Sequence, residues 1–252
     1  MSMQDLEDGL SRWFRTPLGG YLMHTEVDYF DREVADLFGF NALQLGLEQH
    51  DLLRANRMPL RVRVGRTGEL RAAFTDLPIQ TASADLILLP HTLEFTGQPH
   101  QVLREVQRVL VPEGHVVISC FNPWSLWGVR RMFTRGRQHY PWCGNFLNLP
   151  RLKDWMALLG FELAGGRMRC YVPPLINEKW LHRFGFLEAT GDRWWPFAGG
   201  VFFLHGVKRV RGMRIITPQW RSELAKKKSL VAAPHRVKEP DDVKAANERF
   251  GR

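Results

Sequence analysis

Residues 74–119, FTDLPIQTASADLILLPHTLEFTGQPHQVLREVQRVLVPEGHVVIS, read as one unit of loop, strand, turn, helix and strand. Ala84 to Leu89 is an apolar run too short for a helix, as expected of a strand covered on both faces. Pro99 sits where a helix takes its first-turn proline. Val102, Leu103, Val106, Val109 and Leu110 then recur at helical spacing, with Arg104, Glu105, Gln107 and Arg108 on the other face. Pro112-Glu113-Gly114 stops that helix, and His115 to Ser119 is the next strand. Strand, helix and strand joined by short turns predict a right-handed crossover in a parallel sheet. In such sheets ligands sit beyond the carboxyl ends of the strands.

Leu77-Pro78, the Ala84–Ile87 strand, Leu93-Glu94 and the run Leu103 to Gly114 resemble the second half of a class I S-adenosylmethionine-dependent methyltransferase of type 11. The likeness is tight over about a third of the chain and loose from Phe40 to Lys208. It implies an α/β fold with a Rossmann-like, mostly parallel seven-stranded sheet and helices on both faces. It also implies S-adenosylmethionine as cofactor and methyl transfer to an acceptor that the sequence does not name. Asn41 to Gln49 falls at the family's first strand and glycine loop, which makes Leu45, Gly46 and Leu47 candidate cofactor contacts. A loop without side chains lets the backbone approach the ligand. Gln44 stands where the family carries an acid. Leu60 to Val64 is the second strand, followed by Gly65, Arg66 and Thr67 where an acid normally holds the ribose hydroxyls. Ala73 marks a third strand, with Asp76 and Leu77 as the adenine-facing candidates. Pro90 and His91 follow the fourth strand and complete the donor set. These departures keep a second reading open: a methyltransferase fold without catalysis, acting as a binding or scaffold protein that contacts RNA.

His91 is the candidate catalytic group, because an imidazole titrates near working pH and can take an acceptor's proton. The plain alternative is a strand-end histidine bonded to backbone. Asn122, Trp124 and Trp127 follow the fifth strand and are the candidate acceptor-binding residues, with simple packing of the tryptophans as the alternative. Thr16 and Pro17 open a helical cap over residues 1–39, in which Leu22, Phe30, Val34 and Leu37 are spaced for packing. The α/β domain spans 40–212, and its stretch 150–200 includes an aromatic-rich lid insertion. No G-x-G-x-x-G opens a helix, which argues against a nicotinamide-binding oxidoreductase.

The formal net charge is +9, and part of it lies in residues 218–252, where Lys226, Lys227 and Lys228 occur among few large apolar residues. That composition cannot bury a core, so a disordered basic tail is expected, with either a solvating role or a weak nucleic-acid contact. The three cysteines are widely spaced, which argues for reduced thiols and no metal site. Neither a membrane-spanning run nor a basic secretory leader is present, so a bacterial, cytoplasmic protein without a membrane partner is the expectation. The oligomeric state is not legible.

Overall fold

The computed structural model describes residues 3–134, 140–174, 186–195 and 197–210. The predicted basic tail 218–252 lies outside them, as does much of the predicted lid. Two helices come first, α1 (Met3–Phe14) and α2 (Pro17–Ala35). Thr16 caps α2, accepting the Gly19 N–H at 3.2 Å, and Pro17 takes the first turn, as the sequence predicts. Then follow β1 (Asn41–Leu45), β2 (Leu60–Val64), β3 (Ala84–Pro90), α3 (Thr92–Phe95), α4 (Pro99–Val109) and β4 (Leu110–Phe121). The described residues continue with α5 (Leu126–Phe133), α6 (Leu149–Leu158), β5 (Phe161–Arg169), α7 (Phe186–Trp194) and β6 (Val201–Lys208).

The strands form one sheet in the order β2-β1-β3-β4-β6-β5. β2, β1, β3 and β4 run parallel, while β6 is antiparallel to both β4 and β5. The sheet has six strands among the described residues, not the seven implied by the resemblance. The strand expected near Ala73 is reduced to two isolated bridges, Val64 to Leu70 and Ala73 to Asp76. Its sequence explains this: Arg66 to Ala72 holds two glycine-flanked turns' worth of polar residues and no apolar run to cover.

The crossover α4 lies on one face of the sheet with α6, whereas α1 and α2 cover the other. β3 serves both faces: Leu86 and Leu88 face the α2 side, and Ile87 and Leu89 face α4. Leu22, Phe30 and Val34 of α2 enter the first cluster, and Val102, Val106, Val109 and Met156 enter the second. The connection 46–59 between β1 and β2 contains turns and no helix, and so does 65–83 between β2 and β3. Parallel neighbours are ordinarily joined through a helix. Here Leu52, Leu53 and Met58 of the first connection fill the space against α2, all of them buried. Asn56 completes that seam, its amide donating to Val34 O at 2.7 Å and Leu37 O at 3.1 Å at the end of α2. The second connection is tied to α4 by Arg108, whose guanidinium donates to Leu77 O and Ile79 O. At the far end of α4, the Lys208 ammonium donates to Gln107 O and Leu110 O.

Candidate functional site

The carboxyl ends of β1, β3 and β4 meet beneath α2, and the backbone there departs from regular geometry. Gly46 follows β1 with φ +86°, and Leu47 follows with φ 45°. A Cβ at Gly46 would lie 3.1 Å from Thr92 Oγ1, so the glycine permits a close approach between the β1 and β3 ends. Thr92 fastens the same junction by donating its hydroxyl proton to Leu45 O. Gln44, fully buried, organises the loop. Its Nε2 lies 3.1 Å from Gly46 O, 3.0 Å from Leu47 O and 2.8 Å from His50 O, and its Oε1 accepts the Leu52 N–H at 3.0 Å. Three converging carbonyls demand a donor, which a carboxylate is not. Glutamine supplies that donor at position 44.

An acid reaches the ends of β1 and β2 by another route. Glu48 is nearly buried, and its Oε1 accepts from Thr67 N at 3.1 Å and Thr67 Oγ1 at 2.9 Å. The carboxylate rests over Gly65, where a Cβ would come within 2.7 Å of Oε2. Gly65 thus leaves room for an acid contributed by the preceding loop.

At the end of β3, His91 takes a left-handed conformation, φ 51°, and its N–H donates to Ser119 O at 3.0 Å. Its ring stacks on Phe121 with centroids 4.1 Å apart. Nδ1 is 2.6 Å from Glu94 Oε2, and Nε2 is 2.7 Å from Glu26 Oε1 on α2. All three side chains are fully enclosed. Glu94 also accepts the Phe121 N–H through its other oxygen. Glu26 is less well satisfied: the Nε2–Oε1 contact is close but poorly aligned, and Oε2 has no hydrogen-bond partner among the described residues. Burial alone would lower the His91 pKa, but the Glu26 and Glu94 charges and hydrogen bonds outweigh it and raise it from 6.5 to about 10. Burial raises the Glu94 carboxyl, against the opposing pull of His91. The cluster therefore holds its proton on the imidazole at neutral pH. Burial, followed by the Glu94 and Glu26 charges, pushes the neighbouring Cys120 thiol well up, so it is not a nucleophile there.

Leu45, Gly46, Leu47, Pro90 and His91 are thus brought to one junction. Asp76 is exposed, while Leu77 is buried beside α4 with its N–H on Glu105. Asn122 is buried next to Phe121, and its amide donates to Phe197 O and Gly199 O. Trp127 is a core side chain whose indole N–H donates to Val172 O, and Trp124 points outward with 78% of its surface exposed. Glu26, Gln44 and Glu48 were not among the predicted site residues. Glu26 carried a signal, an acid in the apolar stripe Leu22, Phe30, Val34 at four-residue spacing.

Residues 42–118 match the family whose description reads "Methyltransferase domain", of type 11. The protein YafS of Escherichia coli K12, itself uncharacterized, is 36% identical over 131 residues, which is 50% of this chain. The chain spans about half the length of that relative, 55%. Among solved structures, an S-adenosylmethionine-dependent methyltransferase of Thermotoga maritima superposes with a TM-score of 0.58 at 15% identity, covering 82% of this chain and 100% of that one. One of Mesorhizobium loti gives 0.51 at 14% identity, covering 71% and 96%. Likeness at that identity speaks for the fold alone. The order of the parallel strands, the crossover Pro99–Val109 and the matched sequence agree: the chain has the class I methyltransferase fold, and its residues 42–118 are similar to the type 11 methyltransferase domain.

Proposed function

We propose that the chain transfers a methyl group from S-adenosylmethionine to an acceptor at the junction of β1, β3 and α2. The observation that carries this reading is the pairing of two acids around the Gly46 turn: Glu48 over Gly65, and Glu26 with an orphaned buried oxygen. Such a pair suits an adenosyl sulfonium, which carries vicinal hydroxyls at one end and positive charge at the other. When bound, the cofactor supplies an activated methyl group on a good leaving group.

The chain's own part is then positioning and exclusion of water. Glu48 would accept the ribose hydroxyl protons, and Gly46 would admit the ligand against backbone. Glu26 would face the cationic end, where the enclosed site strengthens a charge–charge contact. His91 fixes both carboxylates and, as an imidazolium, does not remove the acceptor's proton at neutral pH. Where an acceptor must lose a proton, the unpaired Oε2 of Glu26 is the group left to take it.

Calorimetric titration of the full chain with S-adenosylmethionine and S-adenosylhomocysteine tests the reading. Saturable binding of either is expected, weakened about tenfold or more by Glu48→Ala, the loss of a charge-assisted hydrogen-bond acceptor. Gly46→Val should abolish it, because the side chain meets Thr92 at a positive φ. No binding at millimolar ligand would leave a methyltransferase fold without the reaction.

A further inference from the structure

Between α2 and the edge strand β5 lies a cavity of about 470 Å³ that takes no part in the junction described above. This is an ordinary size for a small-molecule site. Arg32 of α2 and Arg167 and Arg169 of β5 line it. Residues two apart on a strand share a face, so the β5 pair acts from one side and Arg32 from the other. None of the three guanidiniums has an ion pair or hydrogen bond among the described residues.

The same cavity contains three acids, so its formal charge balances, but two of them are already engaged. Glu33 accepts from His205 Nδ1 at 2.7 Å, and this bond, ahead of other causes, holds its carboxyl below the usual range. Glu188 accepts the Tyr21 hydroxyl proton, the Tyr171 N–H at 2.8 Å and the Cys170 N–H at 3.3 Å. Asp28, more open, lies 3.8 Å from the His24 ring one turn back. Fifteen or so guanidinium N–H donors, at five per arginine, are thus left facing a cavity whose principal acceptors are taken.

The remaining walls suit an organic ligand. The Tyr29 ring is fixed by stacking on Phe203, with centroids 4.0 Å apart, and offers a flat surface. Gly165 contributes no side chain, and a Cβ there would touch only His205 Cβ, at 4.0 Å. A larger residue at 165 would therefore be tolerated by its neighbours and project into the free space.

We propose that this cavity binds a small phosphate monoester, its phosphate held by Arg32, Arg167 and Arg169 and its planar organic part against Tyr29. A phosphate matches three guanidiniums better than a carboxylate does, because it presents more oxygens and a second negative charge. The proposal uses no residue of the His91 cluster and stands independently of methyl transfer.

Phenyl phosphate is the probe, titrated calorimetrically into the full chain at low ionic strength. Single-site saturable binding is expected. It should weaken by about tenfold or more in Arg167→Gln/Arg169→Gln, which removes two charge-assisted contacts. Arg32→Gln, on a different element, should weaken it independently, and Gly165→Leu should block it with every arginine in place. Added salt should weaken binding in the wild type. Two results overturn the proposal: no saturable binding in the wild type, or undiminished binding in folded Arg and Gly165 variants. The latter would put the phosphate on basic residues elsewhere, such as Lys226 to Lys228. Titration with S-adenosylmethionine should be unchanged in these variants, so failure of one reading does not entail failure of the other.

Discussion

The His91 imidazole is poised between two carboxylates at 2.6 and 2.7 Å in a site closed to water. A charge so placed is tolerable only while it is compensated. Its pKa is raised from 6.5 to about 10, so the ion cluster stabilises the fold fully below pH 6.5 and progressively less as pH rises toward 10. In nitrogen-correlated NMR spectra, the His91 ring nitrogens should keep imidazolium shifts at pH 8. A neutral-imidazole pattern there would contradict the assignment. Glu26→Gln should move the ring's titration downward and flatten the decline of Tm between pH 7 and 9. The sequence marked His91 because it follows β3, yet it could not show the ring's state. That state is set by Glu26, which lies 65 positions away on a different element. Only the misfit of an acid in the stripe Leu22, Phe30, Val34 hinted at a buried partner.

At the scale of elements, what could be read in advance depended on periodicity. α2, α4 and the strand β3 announce themselves by apolar spacing and by the Thr16 cap. The region from Gly46 to Ser83 has no such period, and its order comes from individual hydrogen bonds. Gln44 alone secures four backbone groups of the loop that follows it. Gln44→Leu should therefore destabilise the chain by roughly 2–3 kcal/mol in urea unfolding, since buried carbonyls lose their donor. Gln44→Glu should be worse, because a carboxylate would face three carbonyl oxygens. A neutral outcome for Gln44→Glu would mean that the loop does not depend on these hydrogen bonds. The position of Glu48 near the end of β2 was likewise hidden, because it depends on the loop turning back over Gly65.

At the scale of the whole molecule, the sheet is shared property. Alternate residues of β3 belong to the two opposite cores, so neither core can be lost while the other persists. Leu88→Ala on the α2 side and Leu103→Ala on the α4 side should each lower stability by roughly 2–5 kcal/mol. Both should act on one common unfolding transition of the residues up to Val210. Two separable transitions, each sensitive to one variant, would show that the faces are independent. Among the described residues the sheet keeps its parallel centre of β2, β1, β3 and β4, with Leu52, Leu53 and Met58 packed in a connection that has no crossover helix.

The contact between Glu26 and His91 has a kinetic meaning as well. Any ligand that reaches the enclosed junction must first lift α2, and lifting α2 pulls a carboxylate from its imidazolium. Separating a buried pair costs roughly 3–5 kcal/mol. The receptive form would then be about one molecule in a few hundred to a few thousand, and the apparent dissociation constant would rise by the same factor. Stopped-flow association should accordingly be slow and should approach a plateau at high ligand concentration, the opening rate of α2. In Glu26→Gln, where the pull is weaker, the plateau should rise even if the final complex is less stable.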